Sequence, residues 1–151
     1  MTVNIACDTV GLKGDLGQNI VAYELMRNGW HVYSNYGSMV ESNHERQGVD
    51  IIARKKGRRE MRVEVKLRDR SNSPHGNTGQ VHITDSEFRD LTHLALVLLD
   101  KGKENGENVS VYPSYVVEEK IVKKYATRLA SGGYRLSIGK IKKHNLSFEN
   151  L

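Results

Sequence analysis

The sequence has 151 residues, and its 23 lysines and arginines exceed its 18 aspartates and glutamates to give a formal net charge of +5. This length predicts a single domain over residues 1–151 with a sizeable core, and the positive charge favours a polyanionic partner. The single cysteine, Cys7, excludes an intramolecular disulfide and a cysteine-rich zinc site. No apolar run approaches the ~18 residues of a membrane span, and the N-terminus lacks a secretory pattern, so we expect a cytoplasmic, nucleoid-associated protein.

The first part of the chain predicts a helix followed by a strand. Residues 1–12 are weakly patterned and fit either a strand or a loose arm. Residues 15–28 predict a helix, because an acidic residue opens the first turn and Gly29 ends the segment. Residues 30–33 then predict a strand. The polar residues 34–47 predict a connection to the next strand.

A hairpin is predicted next, with strands over residues 49–55 and 60–68 and a turn at Lys56-Gly57-Arg58. Side chains alternate between the two faces of a strand. One face of the second strand therefore carries Met61, Val63, Val65 and Leu67, and the other carries Glu60, Arg62, Glu64 and Lys66.

The second half of the chain predicts further strands and helices. Thr84 and Glu87 form the pattern of a capping box, which predicts the start of a helix. The continuous apolar run 94–99 predicts a buried strand. The remaining predicted segments are a loop at 69–80, strands at 81–83, 109–112 and 134–141, a polar turn at 101–108, and a helix at 115–129. This order predicts an α/β (α+β) fold with a mixed central β-sheet flanked by helices.

Asp50, Glu64 and Lys66 are the first candidate site. If Asp50 begins the strand beside Glu64, the two carboxylates meet, and paired carboxylates with water suit Mg2+. Lys66 lies on the same face as Glu64, where its ammonium suits a phosphate. The alternative interpretation is a hairpin with a solvated, charged face.

The chain resembles the PD-(D/E)XK nuclease superfamily over residues 13–100. The residues that carry the resemblance are Gly17-Gln18, Gly29-Trp30, Gly48-Val49-Asp50 and Glu64-Val65-Lys66. The resemblance implies a restriction-endonuclease-like core. One departure is Gln18, because members of this family commonly have a glutamate at that position, and an amide brings no charge to a metal.

The resemblance also implies a role for each site residue. Asp50 and Glu64 would bind Mg2+ (or Mn2+), and the Val65 carbonyl would be a further ligand. Lys66 would position or activate the attacking water and stabilise charge on the scissile phosphate. Gln18 would complete the ligand sphere or orient water.

Candidate DNA contacts follow from their position near this strand. Arg, Asn and Gln read base edges, whereas Lys and Ser mostly contact phosphates. The alternative is that these side chains are merely solvated. The candidates are Lys55, Lys56, Arg58, Arg59, Arg68, Arg70, Asn72, Ser73, His75, Asn77 and Gln80.

The sequence therefore predicts a metal-dependent endonuclease acting on double-stranded DNA, with a site-specific homing endonuclease, such as bacterial group I introns carry on this fold, as the favoured type. A Holliday-junction resolvase and a restriction or repair nuclease are the alternatives. Cutting both strands needs two active sites, so we expect a homodimer or a higher symmetric homo-oligomer. Gln18 keeps another class open, a catalytically inactive DNA-binding module. An RNA-processing enzyme is a third alternative, which the 7% aromatic content disfavours.

Overall fold

The structure, a computed structural model, describes residues 10–34, 49–69, 79–104, 107–111 and 113–151. The helices are α1 Val10–Arg27, α2 Asp85–Asp90, α3 Glu119–Tyr125 and α4 Ile138–Ile141, followed by 3-10 turns at Lys142–His144 and Phe148–Asn150. The strands are β1 His31–Ser34, β2 Ile51–Arg54, β3 Met61–Asp69, β4 Gln80–Ile83, β5 His93–Glu104, β6 Glu107–Val111, β7 Ser114–Glu118, β8 Thr127–Arg128 and β9 Tyr134–Ser137. Among the helices of this part of the chain, none has the length and apolarity that a membrane crossing requires.

The main sheet has six strands and mixed directions. Its order is β1-β2-β3-β5-β6, and β7 also pairs with β5. The pairs β1–β2 and β2–β3 are antiparallel, whereas β3 and β5 are parallel. A parallel pair needs a crossover connection. This crossover carries β4 and α2, and β4 joins a separate three-stranded sheet with β9 and β8.

The main sheet is covered on both faces. On one face, α1 packs on Met61, Val63 and Val65 of β3. On the other face, β4, α3 and α4 pack over Leu94 and Leu96 of β5. Because Glu64 and Lys66 pair in register with these two leucines, their side chains lie on that second face.

The fold class predicted from the sequence is confirmed, and so is the alternation along β3. The solvated-face interpretation of the hairpin is wrong, because the second face of β3 lies under the crossover and Glu64 is only 4% exposed. The capping box is present, since both of its hydrogen bonds form between Thr84 and Glu87.

Two helix predictions need correction. Helix α1 begins at Val10, so the strand or arm predicted over 1–12 is wrong for its last three residues; residues 1–9 lie outside the described part. The helix predicted over 115–129 is mostly wrong, because Ser114–Glu118 forms β7 and α3 spans only Glu119–Tyr125. Pairing of β7 with β5 buries two adjacent valines, one on each face of the sheet, which a surface helix would not do.

Two strand boundaries also differ. The polar turn predicted over 101–108 is wrong for residues 101–104, which continue β5, and for residues 107–108, which begin β6; residues 105 and 106 lie outside the described part. The last strand ends at Ser137, and Ile138–Ile141 turns into α4, which places Ile138 and Ile141 in the core.

Candidate active site

Asp50 is fixed by three hydrogen bonds, two of them to strand β3 and one to helix α1. It lies immediately before β2, and its backbone N–H donates to the Val63 carbonyl at 3.1 Å. Its Oδ2 accepts a hydrogen bond from the Val65 N–H at 2.9 Å, and its Oδ1 accepts one from Gln18 Nε2 at 3.0 Å. The carboxylate of Asp50 is thereby held beside the middle of β3, as the sequence predicted.

Gln18 reaches Asp50 because α1 lies very close to β3. The preceding residue is Gly17, where a Cβ atom would come within 3.1 Å of the Cβ of Leu67. A larger residue there would push the helix away from the strand. In this structure the amide of Gln18 donates to Asp50, and its predicted roles, completing the ligand sphere or orienting water, stay predictions.

Glu64 and Lys66 meet on the second face of β3, where a third charged residue joins them. The Nζ of Lys66 lies 2.8 Å from Oε1 of Glu64 and 3.1 Å from Oε2 of Glu87. The side chain of Glu64 is 5% exposed, and those of Lys66 and Glu87 are 18% and 19% exposed. Lys66 therefore lies between two carboxylates in a largely water-excluded place.

Glu87 is the site residue that the sequence reasoning missed. Its Oε2 also accepts the Thr84 N–H at 2.8 Å, and its own N–H donates to Thr84 Oγ1 at 3.2 Å. The capping-box pattern was recognised, and it accounts for the local role of the glutamate. The contact with Lys66, which lies 21 residues away in sequence, left no local signal.

Burial raises the pKa values of the two acids at this site, Asp50 and Glu64. Burial raises the pKa of Glu64 to about 8, and the charge of Asp50 adds to this, although Lys66 opposes it. Burial also raises the pKa of Asp50, against the opposing hydrogen bond from the Val65 N–H and the charge of Lys66. Burial alone would lower the pKa of Lys66, but Glu64 and Glu87 outweigh it, so that this pKa is raised.

The donor set fits a divalent cation. When Asp50, Glu64 and Glu87 are ionised and Lys66 is protonated, the four groups carry a formal charge of −2, which one divalent cation would neutralise. The described residues contain no group of three or more His, Cys, Asp or Glu arranged as metal ligands. A cation here would thus rest on Asp50 and Glu64 with the Val65 carbonyl and water, a set that suits Mg2+.

The basic tip of the β2–β3 hairpin lies far from the carboxylates of Asp50 and Glu64. Lys56, Arg58 and Arg59 are exposed at the far end of β2 from Asp50, and four strand residues span about 13 Å. Lys55 is partly buried, since its Nζ donates to the Asn28 carbonyl at 2.8 Å. Lys55 therefore helps to end α1, and its predicted DNA contact would have to compete with that bond.

A second basic position does lie next to the site. Arg68 follows Lys66 by two residues on the same face of β3, and its Nε donates to the Gln80 carbonyl at 3.1 Å. This bond joins the end of β3 to the start of β4 and leaves the Gln80 side chain exposed. The other predicted contacts lie outside the described residues; they are Arg70, Asn72, Ser73, His75 and Asn77.

Comparison with known proteins adds a fold relationship. No protein-family model and no curated protein matches the sequence. Among solved structures, the chain is similar to Hjc, a Holliday junction resolvase from Archaeoglobus fulgidus, with a TM-score of 0.52 and 15% identity over 87% of this chain and 92% of that one. It is also similar to the bacterial homing endonuclease I-Ssp6803I, with a TM-score of 0.50 and 13% identity over 87% of this chain and 78% of that one. At these identities the likeness establishes the fold, and membership of the PD-(D/E)XK superfamily stays a prediction.

Proposed function

We propose that this protein is a metal-dependent endonuclease that hydrolyses phosphodiester bonds in double-stranded DNA. The observation that carries the proposal is the convergence of Asp50, Glu64 and Lys66 at the middle of β3, where Glu64 is buried and the other two are partly buried, with both carboxyl pKa values raised. The fold supports it, since the two similar structures are described as a Holliday junction resolvase and a homing endonuclease.

Each residue has a role that its contacts allow. Bound Mg2+ or Mn2+ would polarise a phosphate oxygen and lower the pKa of a water. Asp50 and Glu64 would hold that ion, with the Val65 carbonyl as a further ligand. Gln18 orients Asp50 through its amide hydrogen bond. Lys66 would place its positive charge beside the scissile phosphate and the attacking water.

The proposed substrate is a specific duplex site, as for a homing endonuclease. Arg68 and Gln80 support this choice, because they lie on β3 and at the start of β4 and belong to the residue types that read base edges. Arg68 would read a base with the donors left over, since its Nε and Nη1 already donate to the Gln80 and Leu67 carbonyls. A four-way junction is the second candidate, favoured by the similarity to Hjc over 92% of the length of that protein. Cleavage of both strands would require a homodimer or a higher symmetric homo-oligomer. We place this activity in the cytoplasm, with the nucleoid.

The competing function is a DNA-binding module without catalysis. Gln18 favours it, since an amide stands where members of the superfamily that the chain resembles commonly have a glutamate. The pairing of Asp50 with Glu64 and Lys66 opposes it, because buried charges are costly and a module that only held DNA would have no use for them.

The test is incubation with mixed plasmid and genomic DNA, and separately with a four-way junction, in Mg2+ with mapping of all ends. Glu64→Gln preserves the shape of the side chain and removes the carboxylate, and Glu60→Gln is the matched control on the same hairpin. We expect discrete ends that depend on Mg2+, a rate loss on the order of a thousandfold in Glu64→Gln, and little change in Glu60→Gln.

Other outcomes are equally informative. Cleavage of the junction in preference to any duplex site would favour a resolvase. Retention of DNA without any cut, in both Mg2+ and Mn2+, would contradict the endonuclease proposal and favour the binding module.

A further inference from the structure

Lys66 has two carboxylate partners, and only one of them would be used by a cation. Glu64, at 2.8 Å, is a proposed metal ligand, whereas Glu87, at 3.1 Å, comes from the crossover helix α2. A Glu64 oxygen that binds the cation cannot at the same time pair fully with the Lys66 ammonium. If Glu87 were absent, Lys66 would pair with Glu64 alone and compete directly with the ion.

Glu87 is itself held in place by contacts that do not involve β3. Its carboxylate accepts the Thr84 N–H in the capping box. The next residue, Phe88, stacks on Tyr134 with 3.7 Å between ring centroids. Arg128 forms an ion pair of 2.6 Å with Asp85 at the start of the same helix. Helix α2 therefore presents the Glu87 carboxylate from a fixed position.

We propose that Glu87 is a positioning residue that gives the Lys66 ammonium a second carboxylate partner, so that a divalent cation can take over Glu64 while Lys66 stays paired with Glu87 beside the phosphate. The proposal rests on the proposed function for its catalytic part. Its binding part concerns the cation alone and needs no DNA.

The two roles of Glu87 can be separated by two variants. Glu87→Gln removes the charge that faces Lys66, while glutamine still serves in a capping box. Thr84→Ala leaves that charge in place and removes the hydroxyl that caps α2. We expect Glu87→Gln to lower kcat about ten- to a hundredfold at unchanged KM and Tm, since misplaced catalytic groups cost that much. We expect Thr84→Ala to lower Tm and to leave kcat unchanged below the melting temperature.

The second readout is Mn2+ binding without DNA, measured from the EPR signal of free Mn2+. The four proteins are the wild type, Glu87→Gln, Lys66→Met and the double variant, which form a double-mutant cycle. Loss of the Glu87 charge weakens Mn2+ binding directly in either background. We expect a further weakening of at least about threefold when Lys66 is present, because without Glu87 its ammonium keeps Glu64 as its carboxylate partner and competes there with the ion.

The outcomes separate the two proposals. If Glu87→Gln weakens Mn2+ binding by the same factor with Lys66 and with Met at position 66, the positioning role is overturned. It is also overturned if Glu87→Gln and Thr84→Ala lower kcat equally and lower Tm equally. Coupling in the Mn2+ cycle without DNA cleavage by the wild type would overturn the endonuclease function alone. Failure of the wild type to bind Mn2+ would overturn both.

Discussion

Both faces of β3 are covered by other parts of the fold, but burial has opposite energetic consequences on the two faces. On the first face, Met61, Val63 and Val65 pack on α1 and gain free energy from losing contact with water. On the second face, Glu64 and Lys66 are buried with Glu87, and each charge loses hydration that its partner only partly replaces. Since an apolar second face would fold at least as well, the retained charges indicate a use other than stability.

The largest expected effect on stability comes from the apolar face. Met61→Ala removes a side chain that is 4% exposed and leaves a cavity against α1. We expect a loss of about 2–5 kcal/mol in the free energy of unfolding, measured with urea. Cleavage per folded molecule should stay at the wild-type level, and the exposed Lys56→Ala serves as the neutral control. A larger loss of cleavage than of folded protein would contradict the division between the two faces.

On the charged face, removing a side-chain charge should stabilise the fold at high pH, whereas truncation on the apolar face destabilises it. The pKa of Glu64 is about 8 in the fold against an ordinary 4.5, so the folded state binds the proton more tightly than the unfolded state. Its contribution to stability therefore falls as pH rises between these two values. Glu64→Gln lacks this titration, so its Tm should rise relative to wild type from pH 5 to pH 8.5 in EDTA. A Tm difference between Glu64→Gln and wild type that stays constant with pH would show that the pKa of Glu64 is not raised.

The smallest effect is expected at the edge of the site. Gln18→Glu replaces the donor to Asp50 Oδ1 with a second carboxylate, so Tm should fall slightly in EDTA. The added charge should strengthen Mn2+ binding about tenfold, or ~1.4 kcal/mol. Asn19→Asp adds the same charge at an exposed neighbouring position and should leave the affinity nearly unchanged. Equal gains in both variants would mean that Gln18 does not face the cation.

The site could be predicted from the sequence where its signals are local. The alternation along β3 and the turn at Gly57, which has a φ of +75°, define the hairpin from nearby residues alone. That hairpin brings Asp50 next to the middle of β3 and places Glu64 and Lys66 on one face. The roles of these residues came from the resemblance, and they stay predictions.

The parts that could not be predicted depend on distant partners. Residues 114–118 precede a charged segment of good helix formers, and only pairing with β5 makes them a strand. Glu87 appeared to be fully explained by its cap. The sequence predicts that Lys55 contacts DNA or is solvated, yet its Nζ donates to the Asn28 carbonyl just beyond α1. In each case the deciding contact joins residues that no local pattern connects.

The pairing of β4 with β9 has a consequence for the order of synthesis. Tyr134–Ser137 supplies the strand beside β4, and Phe88 of the crossover rests on Tyr134. During translation, the hairpin with Asp50 and Glu64 leaves the ribosome long before these residues do. Helix α2 therefore has its local capping box early, but it gains the stacking of Phe88 on Tyr134 only after residues 134–137 have been made. A nascent chain therefore carries Asp50 and Glu64 before the packing that supports helix α2 is complete.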